Sequence, residues 1–428
     1  MKRVIALVLT LGMLVSLLAG CGKNDKTTGG DKPTAENPAE LTMWNIAVES
    51  DSNREAYVNA IKEYQDAHPE VKLTWEPTQN EEYKTKIKAA VTANQMPDIF
   101  FTWGGGFLRE FVNAGRVYAL DTAYANFEKD LPKIMLANHT YDGKIYGAPT
   151  NYNFVAMFSN MDILKQVGYD KVPATYDELI ACCDALVAKG FIPFGCSGTE
   201  PWCVTEYLEP IIQKCVGSDA LTDMYLGKAS WNNEGVIKAV DYFQAMIKKG
   251  YFDPEGTALL NDEIKANFAA GKYAFYINGT WNCASFTDIA DKVQITEFPA
   301  IDASNSYSGE LIGGPNDALA VAASSKYPEI AANAAFEIAK NVCHHGYLSG
   351  SGLPAWTPDY DTSTLSKMTI TVADIFKNSK KVVLFGDGIQ SADNASTYLQ
   401  YVSQLYANAI DGKAFAENLD KDIKNLKK

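Results

Sequence analysis

Histidine is scarce in this chain, with four residues in 428: His68, His139, His344 and His345. No serine sits in Gly-x-Ser-x-Gly, and there is no His-Glu-x-x-His, phosphate-cradling Gly-rich loop or Gly-x-Gly-x-x-Gly. The usual signatures of nucleophilic, zinc-dependent and nucleotide-dependent chemistry are therefore missing. His344 and His345 are adjacent, and neighbouring side chains on a helix end diverge, so they read as surface residues and no metal or cofactor is implied. Basic residues are also short: 38 Lys and Arg against 52 Asp and Glu, a formal net charge of −14. Such a surface repels nucleic acid, whose binding needs phosphates to be neutralised by Lys and Arg. Beyond the N-terminus no apolar run approaches the ~18 residues of a membrane span.

Cys-x-x-Cys and zinc-type spacings are lacking as well, although the chain has eight cysteines. Seven lie in the body of the chain, an odd number that cannot all pair internally. Most read as small buried hydrophobes, including Cys182 and Cys183 within a helical pattern. The eighth, Cys21, closes a segment of another kind. Lys2 and Arg3 precede an uncharged apolar run ending in Leu18-Ala19-Gly20-Cys21. This resembles the lipobox of bacterial lipoproteins. It implies a signal peptide over 1–20, lipid on the Cys21 sulfur and a location on the extracellular face of the cell membrane. Residues 21–40, polar and rich in Gly, Pro, Thr and charge, form the expected tether.

The body holds 47% hydrophobic and 21% charged residues, enough for a large core. From Leu41 the pattern alternates strand and helix: strands over 41–46, 71–75 and 98–101, with helical spacing at Tyr57, Ile61 and Tyr64 and again at Tyr83, Ile87 and Val91. This is the signature of βαβ units and a parallel sheet, whose ligands gather beyond the carboxyl ends of the strands. A second such pattern follows. Its strands lie over 154–158, 191–194 and 272–277. Its helices lie over 161–167, 176–189, 234–249 and 262–270, with Thr175 and Glu178 spaced as a capping box. A strand over 319–323, a helix over 327–340 and a mostly helical stretch over 370–426 complete the chain.

Several short pieces then fall into a known order: Met96-Pro97-Asp98-Ile99-Phe100 before Trp103-Gly104-Gly105-Gly106; Asp142-Gly143-Lys144-Ile145-Tyr146-Gly147-Ala148-Pro149; Phe158-Ser159-Asn160; Pro173-Ala174-Thr175-Tyr176-Asp177-Glu178-Leu179; Gly271-Lys272-Tyr273-Ala274-Phe275 leading to Asn278-Gly279-Thr280-Trp281; and Gly313-Gly314-Pro315-Asn316-Asp317-Ala318-Leu319-Ala320. In this order the chain, over about 390 residues, resembles the extracellular solute-binding proteins of carbohydrate ABC importers, the maltose-binding-protein-like class. Phe158-Ser159-Asn160 departs from the family's usual Tyr-Tyr-Asn, at a structural segment. The resemblance implies an α/β, two-domain periplasmic-binding-protein-like fold of class II type, with a cleft between domains joined by hinge crossovers. It assigns 41–150 and about 315–353 to an N-terminal lobe, and 151–314 and about 354–428 to a C-terminal lobe. Crossings are expected near Pro149–Asn151, Gly313–Ala318 and Leu353–Trp356. It further implies a monomer that binds a sugar or oligosaccharide, docks on permease subunits and is not an enzyme.

A sugar offers hydroxyls at its edge and C–H groups on its faces, so its site needs flat aromatic platforms with polar groups around them. Trp281 follows a strand, where the family places a stacking Trp. Trp202 and Glu200 lie in the turn-rich stretch after the 191–194 strand, where the family carries an aromatic and an acid. Trp103 precedes three glycines that allow backbone to approach a ligand. Glu49 follows the first strand, Asn151 and Asn153 follow Pro149, and Asn316 and Asp317 lie in the return crossing. Trp356, after Gly352-Leu353-Pro354, is expected to wall the cleft. Trp44, Trp75 and Trp231 read as packing. Two other readings stay open: the same fold with a non-sugar solute, and a lipid-anchored glycoside hydrolase, which needs a pair of carboxylates across the cleft.

Overall fold

A computed structural model of the chain describes residues 32–302 and 307–423. Cys21 and the stretch read as a signal peptide lie outside the described residues. Among those described, no helix is long and apolar enough to cross a membrane.

The structure has two α/β lobes, each built on its own sheet. Strands Ala39–Asn45, Val71–Pro77 and Ile99–Trp103 are parallel, with Ala39–Asn45 in the middle, and helices Arg54–Ala67 and Asn80–Ala93 make the crossovers. Strand Asp317–Val321 adds antiparallel to Ile99–Trp103, and Ala148–Pro149 closes that edge. The first strand begins at Ala39, paired with Val71, so the ordered lobe starts inside the stretch read as tether.

The second sheet runs Lys381–Val383, Glu310–Gly314, Asn153–Asn160, Tyr273–Gly279, Ile192–Phe194. Strand Asn153–Asn160 is buried at every residue. Val155 and Met157 face one apolar cluster, while Phe154, Ala156 and Phe158 face another. This is the period-two alternation of a strand covered on both sides. Thr175 and Glu178 form the capping box of helix Tyr176–Ala188. The Lys381–Val383 strand interrupts the stretch read as mostly helical; it pairs parallel with Glu310–Gly314 and depends on that distant partner.

The chain passes between the sheets after Pro149 and again between Gly314 and Asp317. A third passage lies later than Leu353–Trp356. Ala355 and Trp356 are buried in the first lobe's core, Trp356 edge-on to Phe127 and Phe336, and its Nε1–H donates to the Pro149 carbonyl at 2.7 Å. Beyond it, Asp359 pairs with Lys340, and Tyr360 stacks on His344 at 3.8 Å, which keeps 354–360 on the first lobe. Helix Lys367–Lys377 then supplies Met368 and Val372 to a cluster of the second lobe. Trp356 is thus a core residue and not a cleft wall.

The seven described cysteines are free; six are buried and Cys215 is half-buried. Both Cys182 and Cys183 are enclosed, although they point apart, because helix Tyr176–Ala188 is covered on more than one side. Burial pushes the Cys215 and Cys343 thiols up to about 11, so they stay protonated and unreactive at neutral pH.

Replacing Trp356 by Ala should lower stability by about 3–5 kcal/mol, the cost of emptying a buried indole site. Denaturant unfolding of Trp356→Ala measures this, and a change within experimental error would contradict the core placement.

Candidate functional site

The carboxyl ends of most strands in the two sheets, with the amino ends of the antiparallel Asn153–Asn160 and Asp317–Val321, face one cleft. From the first lobe, the chain leaving Asn45 supplies Asp51, Ser52 and Asn53; that leaving Pro77 supplies Gln79, Asn80 and Lys84; and Trp103 ends its strand. From the second, Phe194 leads to Glu200 and Trp202, Gly279 to Trp281 and Asn282, and Val383 to Phe385 and Asp387. Together they line a cleft with about 1250 Å³ of empty space, counted to its open mouth. This is the placement expected for ligand sites of α/β sheets.

The second lobe provides an aromatic floor. Trp202 and Trp281 have ring centroids 6.2 Å apart at 52°, and Phe385 lies 6.1 Å beyond Trp281. Gly279 makes this possible: a Cβ there would lie 2.0 Å from the Trp281 ring, so only glycine lets the indole fold back over the strand end. Trp202 is not on a loop. It lies in the first turn of helix Pro201–Val216, which Pro201 starts and Glu200 precedes. The Glu200 carboxylate accepts from Trp202 Nε1–H at 3.1 Å and from the Asn261 amide at 3.3 Å, fixing the ring's tilt. Burial raises the Glu200 carboxyl above the usual range.

Across the cleft, the half-buried Trp103 stands edge-on to Phe107 at 5.1 Å, and Lys84 Nζ lies 5.3 Å over its ring. The glycines after Trp103 serve a purpose other than approach to a ligand. A Cβ on Gly105 would lie 1.6 Å from the Gly388 carbonyl oxygen, and one on Gly106 would lie 1.9 Å from that of Gln390. They let the two lobes touch backbone to backbone. A second contact closes another edge, where Lys265 Nζ donates to the Ser50 carbonyl at 2.8 Å and Ser50 Oγ donates to Asp262.

At the crossings, Asn151 Nδ2 donates to Asp317 Oδ2 at 3.4 Å, and Thr280 Oγ1 donates to Asn153 Oδ1 at 2.8 Å. Asn138 Nδ2 donates to Asn316 Oδ1 at 3.0 Å. Enclosure pushes the Asp317 carboxyl up to about 7 and Asp51 to about 6, with Asp51 adding to the shift at Asp317.

Trp103, Asn151, Asn153, Glu200, Trp202, Trp281, Asn316 and Asp317 therefore share one cleft. Glu49 does not join them. Its carboxylate is exposed and pairs with Arg54 at 2.7 Å, because the turn after the first strand points Glu49 outward and Asp51 inward. Sequence reasoning missed Asp51, Asn80, Glu206, Asn261 and Asp387. Three cleft-lining residues carry a buried polar atom without a protein partner: Asn80 Oδ1, Asn153 Nδ2 and Glu206 Oε2. Such atoms cost free energy until something pairs with them. Among the described residues, no three His, Cys, Asp or Glu side chains are grouped to hold a metal ion.

The raised Asp317 carboxyl has a consequence for stability. Between about pH 4 and 7 the folded protein holds this proton while the unfolded chain has lost it, so the contribution of Asp317 falls as pH rises through that window. The stability of Asp317→Asn relative to the unmodified protein should accordingly increase from pH 4.5 to 7.5 in paired urea titrations. A difference that does not vary with pH would refute the shift.

Comparison with known proteins accords with this architecture. The model of the bacterial extracellular solute-binding protein family matches residues 59–337. A structure solved in work on xylan utilization by the thermophilic bacterium Caldanaerobius polysaccharolyticus is 34% identical, with a TM-score of 0.85 over 90% of this chain and 100% of that one. The multiple sugar-binding protein of Streptococcus mutans is 26% identical over 76% of this chain and 75% of its own length. An uncharacterized ABC transporter extracellular-binding protein of Pyrococcus horikoshii is 23% identical over 65% of this chain; the match spans 64% of that relative, just under two thirds. With its two lobes, its interlobe cleft and this match over most of its length, the chain belongs to the bacterial extracellular solute-binding proteins.

Proposed function

We propose that the protein captures a sugar or oligosaccharide in the interlobe cleft and delivers it to the permease subunits of an ABC importer, held to the outer face of the membrane by lipid on Cys21. The Trp202–Trp281 floor carries this reading: two tilted indoles, 6.2 Å apart, facing a wall of amides and carboxyls. Sugar C–H faces stack on such rings, while ring hydroxyls pair with the polar wall. The relatives support it, one being named for multiple sugars and another coming from xylan utilization. Xylo-oligosaccharides are accordingly the first ligands to try.

Calorimetric titration tests the reading. Trp281→Ala and Trp202→Ala should each lose about 1–3 kcal/mol of sugar binding, the scale of exposing a large apolar side chain. Both should keep cooperative unfolding, since these rings are half-buried and not enclosed. Wild-type affinity in both variants would overturn the aromatic floor as the site.

The anchor has its own test. Replacing Cys21 by Ser should release the protein from membranes or block its maturation. Equal membrane retention of the Ser variant would remove lipidation from the account.

A further inference from the structure

Resting on the sugar reading above, we propose that the cleft selects uncharged oligosaccharides and rejects chains that carry a uronic acid. Six carboxyl side chains line it. Asp51 and Asp317 come from the first lobe's side, and Glu200, Glu206, Asp262 and Asp387 from the second's. Only two ammonium groups face them, and both are engaged. Lys84 pairs with Glu81 at 2.7 Å and lies over Trp103, while Lys265 pairs with Asp262 at 2.9 Å and bonds the Ser50 carbonyl. Among the described residues, no arginine or histidine lines the cleft. A ligand carboxylate would find no unengaged cation and only further carboxyls on both walls.

Glu206 sharpens the argument. It lies on the second turn of helix Pro201–Val216, is 4% exposed, and its Oε2 has no hydrogen-bond partner although the residue lines the cleft. Glu209, one turn further on, is buried behind it and accepts from the Tyr398 hydroxyl at 3.1 Å. A sugar hydroxyl both donates and accepts, so it can satisfy Glu206 in either protonation state. A ligand carboxylate only accepts, so it could pair only with a Glu206 that keeps its proton, and a proton shared between two carboxyls beside Glu209 and Asp387 leaves a negative charge that no free cation offsets. Burial raises the carboxyls of Asp51, Glu200, Glu206, Asp317 and Asp387, so the cleft favours their neutral forms, and a ligand carboxylate brought among them meets the same penalty with no free cation to offset it. Rejection of a charge left unpaired is an effective way to discriminate between ligands of similar shape.

The test is calorimetric titration of the full chain at pH 7.5 and low salt. The neutral probes are xylotriose, cellotriose and maltotriose. The acidic probes are trigalacturonate and xylotriose bearing a glucuronic acid branch. The methyl ester of the branched probe, nearly the same shape without the charge, separates charge from size. At least one neutral trisaccharide should bind. The branched acid should bind about 100-fold more weakly than its ester, as a buried charge left unpaired requires. In a Glu206→Gln, Asp387→Asn double variant the gap between acid and ester should narrow about tenfold on the same ground. Equal binding of acid and ester, or a gap unchanged in the double variant, overturns the selectivity and leaves the sugar reading standing. Failure of every probe, neutral or acidic, overturns the sugar reading and this inference with it.

Discussion

A polar atom taken out of water without a partner costs about 1–3 kcal/mol, and the cleft of this protein holds three such atoms. Asn80 Oδ1, Asn153 Nδ2 and Glu206 Oε2 lie on three sides of a single cleft, one on each lobe and one at the crossing between them. They are held there by groups that are themselves satisfied. Thr280 fixes the Asn153 carbonyl, and Tyr398 fixes Glu209 behind Glu206. The cleft is therefore a place where pairing is deferred. A solute rich in hydroxyls, which donate and accept in any order, is the kind of molecule that completes it.

The aromatic floor and the polar wall answer two different needs of one ligand. On the proposed reading Trp202 and Trp281 cover the apolar faces of the sugar with little demand on its orientation, and the amides and carboxyls above them set it. Both depend on backbone geometry more than on the residues that touch solute. Gly279 leaves room for the Trp281 ring, and Pro201 opens the helix that carries Trp202. Gly105 and Gly106 let the lobes meet without a side chain between them. Lobe contact at that edge and at Ser50–Lys265 brackets the cleft.

Much of this was legible in the residues. Period-two and helical spacing locate the strands and helices that carry the cleft, and the Asn278-Gly279-Thr280-Trp281 turn marks one platform directly. What stayed hidden depends on tertiary neighbours. Glu206 lies in a helix buried along nearly all its length, among Val204, Tyr207 and Leu208, where nothing local separates a cleft carboxyl from a structural one. Glu49 and Asp51 are two residues apart, and which of them faces the cleft is decided by a turn that the sequence does not announce. Trp356 follows a Gly-Leu-Pro turn and looks like a cleft wall. Its indole N–H instead finds the Pro149 carbonyl, 207 positions away in sequence, and the ring is drawn into the first lobe's core.

Acrylamide quenching of tryptophan fluorescence, with and without saturating xylo-oligosaccharide, bears most directly on the central claim that sugar occupies this cleft. Trp103, Trp202 and Trp281 are half-buried and line it, Trp44 and Trp75 are half-buried outside it, and Trp231 and Trp356 are enclosed elsewhere. The account predicts that sugar shields the cleft indoles and lowers the quenchable fraction, and that most of this shielding is lost in Trp281→Ala. Quenching that is identical with and without a sugar shown by calorimetry to bind would place the ligand outside the cleft and contradict the account.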